Sequence, residues 1–178
     1  MRRALLIVVA VVLILGIWRV SHVSRPRAAK LDGAVAAGGK GGPAPDFSLQ
    51  GIDGQPLTLA NYRGKVVLLD FWATYCAPCK SEIPHFVDWQ NKYGSQGFQV
   101  IGISMDDSPK AVREFYSELK MNYPVAVGTE QVAESYGGVL ALPITFLIDR
   151  DGRVATKYTG AVEPATVEQE IQSLLAVK

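Results

Sequence analysis

The 178-residue sequence predicts a single α/β domain of three layers, with a mixed sheet at its centre. Apolar runs of strand length alternate with longer segments of helical pattern, which is typical of parallel strands joined by helices. The last two strand-like runs are separated only by a short turn, so we expect them to pair antiparallel. Together these observations predict helices packed on a sheet that contains both strand directions.

The first predicted element is a β-hairpin ahead of the sheet. Apolar residues alternate with polar ones on both sides of an Asp53-Gly54 turn signal, at Phe47, Leu49, Leu57 and Leu59.

Short apolar runs and capping signals give the remaining elements. Strands are predicted at 66–72, 98–105, 125–127, 144–148 and 154–158. Helices are predicted at 76–93, 109–120 and 131–136, and a last amphipathic helix begins at Pro164. Ser108 as N-cap with Pro109 after it begins the second helix, and Gly137-Gly138 ends the third.

The N-terminal segment predicts a membrane anchor. A continuous apolar run covers residues 4–18 after Arg2 and Arg3, and as a helix it would measure about 22 Å against a hydrocarbon core of about 30 Å. Trp18 and Arg19 suit the membrane interface. We therefore predict a signal anchor over 1–23, a flexible linker over 24–45 and a folded domain over 46–178. A cleaved signal peptide is the alternative, although the nearest small-residue cleavage site, at 34–36, lies far beyond the run.

The charge distribution argues against a nucleic-acid-binding surface. Residues 46–178 contain eleven Lys/Arg and sixteen Asp/Glu, a net charge of −5, and the basic excess lies next to the apolar run. A nucleic-acid surface would need a basic patch on the domain itself.

The two cysteines, Cys76 and Cys79, form a C-x-x-C motif between a predicted buried strand and a predicted helix. A helix N-terminus stabilises a thiolate, and a spacing of one helical turn brings the two sulfurs within bonding distance. We expect Cys76, the outer cysteine, to attack a substrate disulfide and Cys79 to resolve the mixed disulfide. Half of a zinc site is the alternative, but no other cysteine exists and the two histidines, His22 and His85, do not complete one. We expect neither a metal nor another cofactor.

Several stretches resemble the thioredoxin family. VVLLDFWATYCAPCK is similar to its active-site region, and LPITFLIDRDGRV is similar to its cis-proline strand. The leader PDFSLQGIDGQPLTLANYRGK, the anchor and the helix at 109–120 resemble the TlpA/ResA-like membrane-anchored branch of the redoxin group. The resemblance covers 45–176 and implies a thioredoxin fold, a three-layer α/β/α arrangement, with an N-terminal β-hairpin extension and an inserted helix.

The resemblance also assigns roles to single residues. It implies a cis peptide bond before Pro143, with Pro143 and Leu142 offering backbone to the substrate, and it places Pro84 inside the active-site helix. Around the cysteines we expect an aromatic wall from Tyr75 and substrate contacts from Tyr75, Ala77 and Pro78.

Two carboxylates are candidates for the proton transfer that accompanies thiol chemistry. Asp70 lies in the apolar strand VVLLDFW and matches the buried aspartate of thioredoxin. Glu82 matches the acidic position of the TlpA/ResA-like branch, which tunes the cysteines. A solvated strand-end acid and an exposed first-turn acid are the respective alternatives, and the sequence leaves open which of the two is the base.

The resemblance implies an extracytoplasmic thiol–disulfide oxidoreductase that reduces disulfides in proteins such as those of cytochrome c maturation, with electrons from a membrane thiol donor. More Lys/Arg follow the apolar run than precede it, and by the positive-inside rule this favours the opposite orientation. A dithiol oxidant or isomerase is a further alternative, because the Ala77-Pro78 pair does not fix the redox potential.

Two other classes fit the sequence less well. A peroxiredoxin-like peroxide reductase would have Pro and Thr or Ser where this chain has Leu69 and Ala73, and a copper carrier of this fold would need a late histidine, whereas none follows His85.

Overall fold

The computed structural model describes residues 41–177. The predicted anchor at 1–23 and most of the predicted linker lie outside these residues. Within the described part of the chain, no helix combines the length and the apolar character needed to cross a membrane.

The described chain contains seven strands and four α-helices. The strands are β1 (Ser48–Gln50), β2 (Pro56–Thr58), β3 (Val66–Trp72), β4 (Phe98–Ser104), β5 (Val125–Val127), β6 (Ile144–Ile148) and β7 (Val154–Thr159). The helices are α1 (Ala77–Tyr93), α2 (Pro109–Glu118), α3 (Glu130–Ser135) and α4 (Pro164–Ala176). Every predicted element is therefore present, and most boundaries agree within one residue, α2 ending two residues early.

The central sheet has five strands in the order β5-β4-β3-β6-β7. β3, β4 and β5 run parallel, whereas β6 pairs antiparallel with both β3 and β7. The mixed sheet and its final hairpin are thus confirmed. Asp70 of β3 lies opposite Gly102 of β4 and Thr145 of β6, at the centre of the sheet.

The two faces of the sheet are covered by different layers. Because side chains alternate along a strand, β3 sends Val66, Leu68 and Trp72 to one face and Val67, Leu69 and Phe71 to the other. The first set packs with residues of α1, α2 and α4, and the second with the β1–β2 hairpin and α3. The three-layer fold is confirmed, and β3, buried along its whole length, is its central strand.

The leader is tied to both edges of the sheet. β1 and β2 form the predicted hairpin, and the Ile52 N–H donates to the Val125 carbonyl at 2.9 Å beside β5. At the other edge, Val154 N–H donates to the Gly42 carbonyl at 2.8 Å and Ala44 N–H to the Gly152 carbonyl at 2.9 Å.

The structure corrects two predictions about the segment before β3. Residues 41–45 belong to the folded part and not to the linker that we predicted to end at residue 45. Their attachment uses backbone groups, which leave no periodic pattern in a Gly/Pro/Ala-rich segment. Leu59, predicted for the second hairpin strand, instead begins a 3₁₀ helix, Leu59–Tyr62.

Candidate active site

The two cysteines lie at the junction of β3 and α1. β3 ends at Trp72, a turn closed by the Cys76 N–H and the Ala73 carbonyl at 3.1 Å follows, and α1 begins at Ala77. We had predicted Cys76 as the first residue of this helix, but it is the N-cap of α1. The backbone thus delivers Cys76 to the end of the sheet and the start of a helix.

Cys76 and Cys79 are joined by a disulfide bond, with 5.3 Å between their Cα atoms. The Cys79 N–H points at the sulfur of Cys76, with 3.3 Å between nitrogen and sulfur. This N–H and the helix macrodipole favour negative charge at this end of α1. The setting is therefore suited to a thiolate at Cys76 once the disulfide is reduced.

The two sulfur residues differ in accessibility. Cys76 is 7% exposed and Cys79 is 1% exposed. Cys76 is therefore less accessible than we predicted for the outer cysteine. The order is nevertheless the predicted one, because Cys76 is the more accessible. Tyr75, Ala77 and Pro78 surround the pair as exposed residues, and Tyr75 reaches 73% exposure.

Glu82 is buried on α1, one turn beyond Cys79. It is 5% exposed, its Oε1 accepts the Val162 N–H at 3.0 Å, and its Oε2 is buried without a hydrogen-bond partner. Burial raises the pKa of this carboxyl, opposed by the Val162 hydrogen bond and by His85. The alternative of an exposed first-turn acid is therefore wrong.

Asp70 is the second buried acid, on the same face of β3 as Trp72 and so toward α1. It is 2% exposed, and its Oδ1 accepts a hydrogen bond from the Thr145 hydroxyl at 3.1 Å. Burial, together with the charge of Glu82, raises the pKa of Asp70 to about 8. Its burial excludes the alternative of a solvated strand-end acid, and with a pKa of about 8 the carboxyl is mostly protonated at neutral pH.

The loop before β6 lies at the same end of the sheet. The Leu142–Pro143 peptide bond is cis, as predicted. Since Ile144 pairs with Phe71, Pro143 lies beside the point where β3 passes into the cysteine turn. Leu142 is half-buried and packs against the core cluster that contains both cysteines.

Other residues near the cysteines have structural contacts. Trp72 packs beneath the site and stacks on Phe115, with 5.3 Å between ring centroids. The Lys80 ammonium lies 4.9 Å from the centroid of the same Phe115 ring. His85 stacks on Trp89 on the outer side of α1.

Sequence reasoning missed the hydrogen-bonding partners of the site. Each partner comes from a distant segment. Glu82 binds Val162, Asp70 binds Thr145, and Thr74 binds Asp106. None carries a motif. Only the register of β6 against β3, which the sequence analysis did not predict, could have placed Thr145 beside Asp70.

The chain matches the model of the AhpC/TSA family over residues 41–157. It belongs to that family. Over 142 residues it is 34% identical to a thiol-disulfide oxidoreductase ResA from Geobacillus thermodenitrificans, covering 79% of each chain. It is 35% identical over 129 residues to a ResA from Bacillus subtilis, covering 72% of each chain.

Solved structures show the same fold. A protein from Chlorobium tepidum, described as a thiol:disulfide interchange protein DsbE, superposes with a TM-score of 0.73 at 36% identity, covering 77% of this chain and 98% of that one. The predicted resemblance is confirmed, and the protein is a thiol–disulfide oxidoreductase of thioredoxin fold.

Proposed function

We propose that this oxidoreductase reduces disulfide bonds of proteins outside the cytoplasm, with Cys76 as nucleophile and Cys79 as resolving thiol. The proposal is carried by one observation, the bonded cysteine pair at the N-terminus of α1 with Cys76 the more accessible member. Proteins of cytochrome c maturation are the substrates suggested by the resemblance to the TlpA/ResA-like branch.

The reaction begins from the reduced dithiol. The Cys76 thiolate attacks one sulfur of the substrate disulfide, so that a Cys76–substrate bond forms and a substrate thiolate leaves. The Cys79 thiolate then attacks the sulfur of Cys76, which forms the intramolecular disulfide and releases the second substrate thiol. Two electrons have passed from the enzyme to the substrate, and a membrane thiol donor restores the dithiol by the same exchange.

Proton transfer at Cys79 is assigned to the two buried acids. Cys79 must lose its proton before it attacks, and the helix turn after it carries Glu82, whose Oε2 has no hydrogen-bond partner. Asp70 lies on the strand face beneath, with its pKa raised to about 8. A protonation change in one of these carboxyls alters the charge felt by the other, so the pair acts as a unit.

The substrate is expected to lie over the surface between the cysteine turn and the cis-proline loop. Tyr75, Ala77 and Pro78 are exposed beside Cys76, and Leu142 and Pro143 lie at the same end of the sheet. This surface offers apolar side chains and backbone groups, and it fits an extended peptide that contains a disulfide.

The membrane location rests on the N-terminal sequence. The apolar run at 4–18 follows Arg2 and Arg3 and would hold the domain at the membrane, where a membrane thiol donor can reach it. The domain would then face the periplasm or the outside of the cell.

Serine variants of the two cysteines test this proposal. Cys79→Ser should trap substrates as mixed disulfides on Cys76, whereas Cys76→Ser should abolish reduction of insulin and trap nothing. The double variant controls for non-specific capture. Trapping by Cys76→Ser alone would reverse the assigned roles.

The same variant tests the location. In intact cells, the free Cys76 of Cys79→Ser should react with a membrane-impermeant maleimide, and protection until lysis would place the domain inside. Consumption of hydrogen peroxide by the wild-type protein at the rate of insulin reduction would favour the peroxide reductase instead.

A further inference from the structure

A second hydrogen-bonded cluster holds the turn that carries Cys76. Both donors of Thr74 bind one carboxylate: its N–H donates to Asp106 Oδ2 at 2.9 Å and its hydroxyl donates to Asp106 Oδ1 at 2.6 Å. Asp106 follows the end of β4, thirty-two residues further along the chain. The cysteine turn is thus attached to a segment outside the C-x-x-C motif.

Asp106 is itself held by the sheet. The Ser104 hydroxyl donates to Asp106 Oδ2 at 2.7 Å, and the Asp106 N–H donates to the Ser104 hydroxyl at 3.1 Å. Ser104 is fully buried as the last residue of β4, and the Met105 N–H extends the ladder by donating to the Trp72 carbonyl at 2.8 Å. Because Asp106 is 9% exposed and rests on this ladder, it is a rigid attachment point.

The position of Thr74 reaches Cys76 through the turn. Ala73, Thr74, Tyr75 and Cys76 form one turn, closed by the Cys76 N–H and the Ala73 carbonyl. Tyr75, the other central residue, is 73% exposed and adds little packing. Fixing Thr74 therefore limits where Cys76 places its sulfur at the N-terminus of α1, where the Cys79 N–H points at it.

An aspartate at position 106 is suited to holding the cysteine turn in place and not to stabilising a thiolate by its charge. A negative carboxylate close to the cysteine turn opposes the formation of a thiolate there. An ionised carboxylate is, however, an acceptor with room for several donors, and Asp106 accepts three. This contact pattern therefore indicates that Asp106 places the cysteine turn and does not stabilise a thiolate through its charge.

We propose that Asp106, through Thr74, is a positioning residue that places the Cys76 sulfur at the N-terminus of α1. The proposal rests on the assignment of Cys76 as nucleophile. It identifies a contribution from the loop after β4 to the reactivity of a cysteine on another segment.

Two matched pairs of variants separate position from charge. Thr74→Val removes the hydroxyl bond at nearly constant volume and leaves the charge of Asp106 in place, whereas Thr74→Ser keeps both. Asp106→Asn removes the charge and keeps the contacts, since the Thr74 hydroxyl can accept from the amide, while Asp106→Ala removes charge and contacts together.

Each variant is measured as full-length protein in two ways. The first is kcat/KM for insulin reduction with both cysteines present. The second is the pH dependence of iodoacetamide alkylation in the Cys79→Ser background, where Cys76 is the single thiol. Denaturant unfolding accompanies both.

We expect Thr74→Val to lower kcat/KM by about three- to tenfold, since small misplacements of reacting groups are costly. We also expect its Cys76 titration midpoint to rise by about half a pH unit or more, because the thiolate moves away from the helix N-terminus. Thr74→Ser should stay close to wild type in both. The Cys76 titration midpoint of Asp106→Ala should lie above that of Asp106→Asn. Both variants lack the charge, and only Asp106→Ala also lacks the contacts to Thr74.

A purely structural cluster would give a different result. Thr74→Val would then lower the unfolding midpoint while its Cys76 titration coincided with that of Thr74→Ser, and this would overturn the proposal. If Asp106→Ala does not fold, the Thr74 pair decides alone. If the wild-type protein does not reduce insulin, the proposed function fails, but the alkylation profiles still decide whether Thr74 and Asp106 position Cys76.

Discussion

Replacing Asp70 by asparagine should stabilise the protein at neutral and alkaline pH. Asparagine has nearly the shape of aspartate, and its carbonyl oxygen can accept the hydrogen bond that Thr145 now donates to Oδ1. The ionisable group is thereby removed from a site that is 2% exposed. The gain should depend on pH. Asp70 destabilises the fold only at a pH where its carboxyl loses its proton in the unfolded chain, because burial opposes that loss in the folded chain.

The magnitude follows from the raised pKa of Asp70, about 8 in the folded protein against an ordinary 3.8. For a raised carboxyl pKa, the unfolded state is the one that loses its proton first as the pH rises. The destabilisation is therefore absent below pH 3.8, grows between 3.8 and about 8, and is constant above. One pKa unit corresponds to about 1.4 kcal/mol, so linkage gives a cost of about 4 kcal/mol at pH 7 and about 6 kcal/mol above pH 8.

Urea unfolding of the oxidised protein at pH 4, 7 and 9 measures this gain. Asp70→Asn should exceed the wild type by less than about 1 kcal/mol at pH 4 and by several kcal/mol at pH 9, with an unchanged dependence on urea concentration. Asp88→Asn, an exposed acid on α1, is the matched control and should change stability by less than about 0.5 kcal/mol at each pH. An Asp70→Asn gain that is equal at pH 4 and pH 9, or a loss at pH 9, would refute the burial argument.

Two further predictions concern the second acid and the leader. Glu82→Gln keeps an oxygen for the Val162 N–H but removes the charge, so it should lower the pKa of Asp70 and shift the titration of Cys76, followed by alkylation; an unchanged titration would make Glu82 a bystander. Tyr136→Phe removes the 2.6 Å hydrogen bond from the buried phenol to the Pro45 carbonyl and should cost about 1 kcal/mol in urea unfolding, whereas no loss would mean that residues 41–45 do not need this contact.

Much of the fold was predictable because its signals are local. The seven consecutive apolar-rich residues Val66–Trp72 predict a strand buried on both faces, and the structure confirms it. Ser108 followed by Pro109 predicts a helix start that the structure also confirms. The cis bond before Pro143 was predictable only through the family resemblance, since most X–Pro bonds are trans.

What the sequence did not predict depends on tertiary pairing. Residues 41–45 attach to β7 through backbone groups, and Asp106 reaches Thr74 across thirty-two residues. The contact between Glu82 and Val162 was also not predictable, because Val162 comes from the segment before α4, eighty residues further along the chain. Partners that arrive from distant segments leave no periodicity near the residue that they bind.

The two acids that the sequence left equivalent differ in their surroundings in the structure. Asp70 has its pKa raised to about 8, so at neutral pH it already holds a proton and is a poor acceptor for the proton of Cys79. Burial raises the pKa of Glu82 as well, but the Val162 N–H and His85 oppose that rise, and its Oε2 has no hydrogen-bond partner. We therefore infer that Glu82 is the base. Glu82 accepts the proton of Cys79 first, and the loss of its negative charge then lowers the pKa of Asp70, which burial still raises. This order makes Glu82→Gln more damaging than Asp70→Asn to insulin reduction at pH 7, and the reverse ranking would exchange their roles.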